Sequence, residues 1–130
     1  MTDIFTKEKR SWVMSRIRGK NTKIEIIVET WLKENRYRFE KHPAMYGSPD
    51  FVVNGRKVAI FVDGDFWHGY RMGPKKLAGM KAFWRKKISK NKMRDRRVTR
   101  ALKRDGWTVV RVWEHEVHGN QFVDKLKNIL

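Results

Sequence analysis

Apolar positions along the chain follow two periods. Phe51-Val52-Val53 and Val58-Ala59-Ile60-Phe61-Val62 are unbroken apolar runs of strand length, with Asn54-Gly55 between them. Asn-Gly predicts a two-residue hairpin turn, and runs without alternation predict strands covered on both faces, as in a mixed α/β layer. Residues 37–41 alternate and predict an edge strand leading into the hairpin, while 107–113, Trp-Thr-Val-Val-Arg-Val-Trp, predict a further strand of the same sheet. Helical spacing takes over elsewhere. Thr22 followed by Glu25 fits a capping box, and Ile24, Ile27, Val28, Trp31 and Leu32 predict a core-facing stripe behind it. A long helix is predicted over 78–104, its stripe running through Met80, Phe83, Trp84, Ile88, Val98, Ala101 and Leu102 to a stop at Asp105-Gly106. The same face places Asn91 and Asp95 inward, where polar groups either tie down a loop or border a cleft. A helix of that length between strands is the crossover that parallel pairing requires. Phe122, Leu126, Ile129 and Leu130 predict a closing helix over 121–130, and Trp12, Val13 and Ile17 a short basic one over 6–18, ended by Gly19.

Composition narrows what such a sheet is for. The chain has 130 residues, 40% hydrophobic content and six tryptophans, enough for one folded domain over 1–130. Its net charge of +17 opposes compaction by self-repulsion, so it points to a polyanionic partner. Double-stranded DNA is the expected partner rather than a membrane, since no basic helix carries a broad exposed apolar face. The helix over 6–18 is the expected DNA-contacting arm, although a solvated basic face explains it equally well. With no cysteine, disulfides and thiolate metal sites are excluded. No signal peptide or membrane-spanning run is seen, which gives a cytoplasmic, nucleoid-associated expectation for a monomer.

Acidic residues then stand out against the cationic background. In an antiparallel hairpin, Asp50 before the first strand and Asp63 at the end of the second lie at the same end. Phosphodiester hydrolysis needs an activated water and neutralisation of charge gathering on phosphate, which Mg2+ held by few carboxylates supplies. Asp50 is the first candidate ligand, with Asp63 or the backbone carbonyl of Val62 as a second oxygen donor. His68 titrates near neutral pH and could take the proton from the attacking water. Glu25 sits on the flank of its helix stripe, able either to reach the sheet end or merely to cap. Phe66 and Trp67, in the glycine-punctuated loop 64–74, are expected either to enter a base stack or to pin the loop.

At this point the chain resembles the very short patch repair (Vsr) endonucleases, which nick DNA beside a T:G mismatch. The resemblance is carried by Asn21-Thr22-x-Ile24-Glu25, Pro49-Asp50-Phe51-Val52-Val53, Gly64-x-Phe66-Trp67-His68, Phe83-Trp84-x-x-Lys87-Ile88-x-x-Asn91-x-x-x-Asp95-Arg96-Arg97 and Gly106-Trp107-x-Val109-x-x-Val112-Trp113-Glu114. It implies a restriction-endonuclease-like α/β fold, a central mixed sheet flanked by helices. It also implies magnesium at Asp50 and the Val62 carbonyl, catalysis by His68 with Glu25 as acidic helper, and intercalation by Phe66, Trp67 and Trp84. Lys87 and Asn91 match positions near the recognised bases. Two departures follow. Asp63 stands where the family has a second histidine, which favours direct carboxylate coordination. The family's structural zinc ligands correspond to Asp65, Tyr70, Met72 and His115, so structural zinc is expected to be absent, with Phe66, Tyr70 and Trp113 packing in its place. The expectation is a Mg2+-dependent endonuclease that nicks one strand of duplex DNA at or next to a T:G mismatch or damaged base; the alternatives are a restriction-like or branched-DNA nuclease of the same fold, and a basic DNA-binding protein without chemistry.

Overall fold

The computed structural model describes residues 22–66, 68–70 and 73–130. The helix expected over 6–18, Trp67 and Met72 lie outside these described residues. The elements are α1 (Lys23–Glu34), β1 (Phe39–Lys41), β2 (Phe51–Val53), β3 (Val58–Asp63), α2 (Pro74–Ala78), α3 (Ala82–Arg104), β4 (Thr108–Trp113), α4 (Glu114–His118) and α5 (Gln121–Lys127). The four strands form one mixed sheet in the order β1-β2-β3-β4. The first two pairings are antiparallel and β3–β4 is parallel. This mixed sheet flanked by helices has the expected restriction-endonuclease-like α/β layout.

Both faces of the sheet are covered, as the unbroken apolar runs demand. Phe51, Val53, Val58, Ile60, Val110 and Val112 pack against Val28 and Leu32 of α1 and against Val117, Phe122 and Leu126 of α4 and α5. Ala59 and Phe61 point the other way and meet Val98 and Leu102 of α3. The period-2 geometry of β3 therefore hands alternate residues to two cores.

Three local expectations are corrected, and one short helix is added to them. The β2–β3 connection spans residues 54–57 instead of two, with Gly55 (φ 79°) and Lys57 (φ 53°) both left-handed. Lys57 turns its carbonyl toward β4, where it accepts from the Thr108 N–H at 2.9 Å. The helix predicted over 78–104 starts only at Ala82, because Lys81 is extended (ψ 144°), and a separate short helix, α2, precedes it. Ile27 and Phe83 leave the predicted core stripes and are 37% and 63% exposed. Finally, α4 follows β4 directly, its start held by the Glu116 carboxylate accepting from the Trp113 N–H at 2.9 Å.

Candidate active site

Asp50 and Val62 meet at the end of the β2–β3 pair, where the hairpin argument places them. The Val62 N–H donates to Asp50 Oδ2 at 2.6 Å. Glu25, one turn into α1, turns its carboxylate inward, and its residue is only 2% exposed. The capping box is thus half made: Thr22 Oγ1 accepts from the Glu25 N–H at 3.4 Å, while the Glu25 side chain serves the sheet end. His42 completes the group, with Nε2 at 3.5 Å from Glu25 Oε2 and Nδ1 at 4.0 Å from Asp50 Oδ1. One donor atom from each of Glu25, His42 and Asp50 lies within 4.8 Å of the others. His42 Nε2 is buried and has no hydrogen-bond partner among the described residues. Burial pushes the Asp50 carboxyl up to about 9, helped by its hydrogen bond with Glu25 and opposed by the Val62 N–H. A carboxyl held neutral and an imidazole nitrogen without a hydrogen bond among the described residues, side by side, make a site that a cation would complete.

A second group shares this end of the sheet on the α3 side. His68 Nδ1 is 2.6 Å from Asp95 Oδ2, and its Nε2 is 3.8 Å from Asp63 Oδ1. Gly69 brings the loop close enough for this: at φ 69° it lies where a β-carbon would stand 2.9 Å from Ile88 Cγ2 of α3. Arg111 of β4 fastens the group together. Its guanidinium donates to Asp63 Oδ2 at 3.0 Å, to the Asp95 carbonyl at 3.1 Å and to Thr99 Oγ1 at 3.0 Å, and lies 4.3 Å from the Phe61 ring centre. Burial would lower the His68 imidazole, but the Asp95 hydrogen bond and the Asp63 charge outweigh it and hold His68 above its ordinary value. Burial raises Asp63, against the opposing charges of His68 and Arg111. Asp63, His68 and Asp95 also place one donor atom each within 4.8 Å, yet here Arg111 already supplies a cation.

Among the expected site residues, Glu25, Asp50 and Val62 come together, and Asp63 joins His68 in the neighbouring group instead. Phe66 and Trp84 meet edge-on at 6.0 Å, and Phe83 extends the cluster to Trp84 at 4.8 Å. Lys87 lies 5.8 Å from the Phe83 ring, one turn along α3, with Asn91 another turn on. The same loop is fixed at its far side, where His115 Nδ1 is 3.0 Å from Asp65 Oδ1 and Tyr70 packs on the His115 and Trp113 rings at 4.2 and 5.1 Å. His42, Arg111 and the exposed Phe83 were not singled out from sequence. Arg111 could have been, since an arginine within an apolar strand needs a buried partner. His42, in an irregular loop before Pro43, carries no such signal.

A mixed sheet with carboxylates and histidines clustered at one end, in a chain of net charge +17, defines a nuclease of the restriction-endonuclease-like class. Comparison with known proteins agrees. The family model described as DNA mismatch endonuclease Vsr matches residues 2–73, over half the chain. A type II nicking enzyme, V.XorIIP, of Xanthomonas oryzae pv. oryzae is 37% identical over 100% of this chain and 98% of its own length. The Neisseria meningitidis nicking enzyme V.NmeAIP is 39% identical over 90% of this chain and 85% of its own. The DNA mismatch endonuclease Vsr of Escherichia coli K12 is 36% identical over 93% and 79% respectively. The chain belongs to the Vsr endonuclease family.

Proposed function

We propose that this protein is a divalent-cation-dependent DNA endonuclease that nicks one strand of duplex DNA at or beside a T:G mismatch. The observation that carries the reading is the Glu25–His42–Asp50 group beside a His68 oriented by Asp95. The donor chemistry fits Mg2+, and the imidazole admits Mn2+ as readily. When bound, such an ion supplies Lewis-acid activation of the scissile phosphate and of water. The chain's own residues do the rest. Asp50, deprotonated, and His42 would hold the ion, Glu25 orients Asp50, and His68 accepts a proton at Nε2 while Asp95 holds Nδ1. In this reading the Val62 carbonyl is a ligand, and Asp63 orients His68. Phe66, Trp67 and Trp84, joined by Phe83, enter the duplex, and Lys87 and Asn91 approach the bases. Steps at a mismatch are easier to unstack, which favours insertion there. The arm over 6–18 grips phosphates.

Structural zinc has no place in this reading. Asp65, Tyr70 and His115 engage one another through a hydrogen bond and ring packing, and the chain has no thiolate to offer. Elemental analysis of purified protein should find less than stoichiometric zinc. The main test is a panel of matched, T:G-mismatched, uracil-containing and branched duplexes, with Mg2+, with Mn2+ and with chelator. Cation-dependent nicking of one strand in the T:G duplex is expected. If another duplex is preferred, the mismatch assignment fails, and if none is cut, a binding protein without chemistry takes its place.

A further inference from the structure

A cavity of about 500 Å³ opens beyond His68, between α3 and the edge strand β4. Lys92, Arg96, Arg100 and Lys103 line one side, and Arg111 and Trp113 the other. On a helix these four cationic positions fall on one stripe, spaced about 6, 6 and 4.5 Å along the axis. The first two separations are close to the distance between neighbouring phosphates in a nucleic-acid strand. Arg111 is committed to Asp63, Thr99 and Asp95, so it forms the floor. Asp95, the acid lining the cavity, is held by His68 and Arg111. Among the described residues, Arg96, Arg100 and Lys103 have no acidic partner, and all three are exposed. The result is a cationic trough with His68 at its inner end.

We propose that this trough binds consecutive backbone phosphates of the strand being nicked, on one side of the scissile bond. The proposal rests on the endonuclease reading for its ligand, double-stranded DNA. Phosphates seated along α3 would fix the strand's register against His68 without reading sequence, the division of labour usual for backbone contacts.

The test replaces Arg96, Arg100 and Lys103 together with glutamine and measures binding of a matched fluorescent duplex over a salt series without divalent cation. The control replaces Lys23, Lys33 and Lys127, which lie on α1 and α5 across the sheet, removing the same charge. Each lost phosphate contact reduces the slope of log K against log salt by about 0.9. The trough variant should lose about 2–3 from the slope, and the control under about 1. Equal slopes in the two variants would overturn the proposal, as would failure of the wild-type protein to bind DNA. Wild-type nicking in the duplex panel separates the two readings. Nicking with equal slopes sinks the trough alone, whereas a slope difference with no duplex cut sinks the endonuclease reading and leaves the trough as a DNA-binding surface.

Discussion

Replacing Asp50 with asparagine should make the metal-free protein more stable while abolishing nicking. In the folded chain burial and Glu25 raise the Asp50 carboxyl from 3.8 to about 9, so at neutral pH it is protonated, accepting from Val62 and hydrogen-bonded to Glu25. The unfolded chain ionises it freely. A raised folded value contributes stability in full below the unfolded value near 4, and that stability is lost as pH rises through about 9. At about 1.4 kcal/mol per pH unit, the loss reaches up to about 4 kcal/mol at pH 7. Asparagine is isosteric with the neutral acid. Its Oδ1 can accept from the Val62 N–H and its Nδ2 can donate to Glu25, with no proton to take up. The variant should therefore gain about 2–4 kcal/mol at pH 7 and little at pH 4. Urea unfolding from pH 4 to 9 in chelator measures this, with the wild-type-minus-variant difference isolating Asp50 from Asp63 and His68, whose shifts have the same sign. Calorimetry with Mn2+ should show binding to wild type tightening about tenfold per pH unit between 7 and 8, with proton release, and none to the variant. Nicking should fall at least about 100-fold. A variant equally stable or weaker at pH 7, with the wild-type dependence on pH, would refute the account of Asp50 as an acid kept neutral for a cation.

Asp95→Asn should return the His68 pKa toward its ordinary value, since Asp95 supplies the leading opposing influence to burial. The acid limb of the nicking profile should move to lower pH and the maximal rate should drop about 100-fold, with NMR titration of His68 as the check. Arg111→Met takes from Asp63, 2% exposed, the guanidinium hydrogen-bonded to it and leaves only the more distant His68, and should destabilise the fold by about 3–5 kcal/mol. Denaturation should show the loss shrinking as pH falls and Asp63 protonates. Gly69→Ala puts a β-carbon against Ile88 at a left-handed φ and should cost about 1–3 kcal/mol, lifting His68 away from Asp95. The same NMR signal should then lose its Asp95-dependent shift.

The sheet and its two-sided burial were legible in the sequence, because apolar runs of strand length around 51–53, 58–62 and 108–113 have few other ways to leave water. So was the juxtaposition of Asp50 with Val62, since an antiparallel hairpin brings the start of one strand to the end of the next. Which face each polar residue serves was not legible. When both faces are buried, alternation of apolar and polar no longer marks inside from outside. Asp63 therefore read as a partner of Asp50; its carboxylate is held by Arg111 beside His68, from where its charge still reaches Asp50. Phe83 read as core because an aromatic at a helical position looks the same whether it packs or protrudes. The buried face of α3 begins only at Ile88.

The sequence by itself determined the strand runs, the cationic excess and the inventory of acids and histidines, all properties of neighbouring residues and of composition. Only the tertiary structure decided their grouping. His42 enters from a loop with no periodicity, Asp95 reaches His68 from 27 residues away, and Arg111 reaches Asp63 from 48. Such contacts depend on how α1 and α3 dock on opposite faces of the sheet. That docking is set by summed burial over two cores, not by any local signal at the residues it brings together.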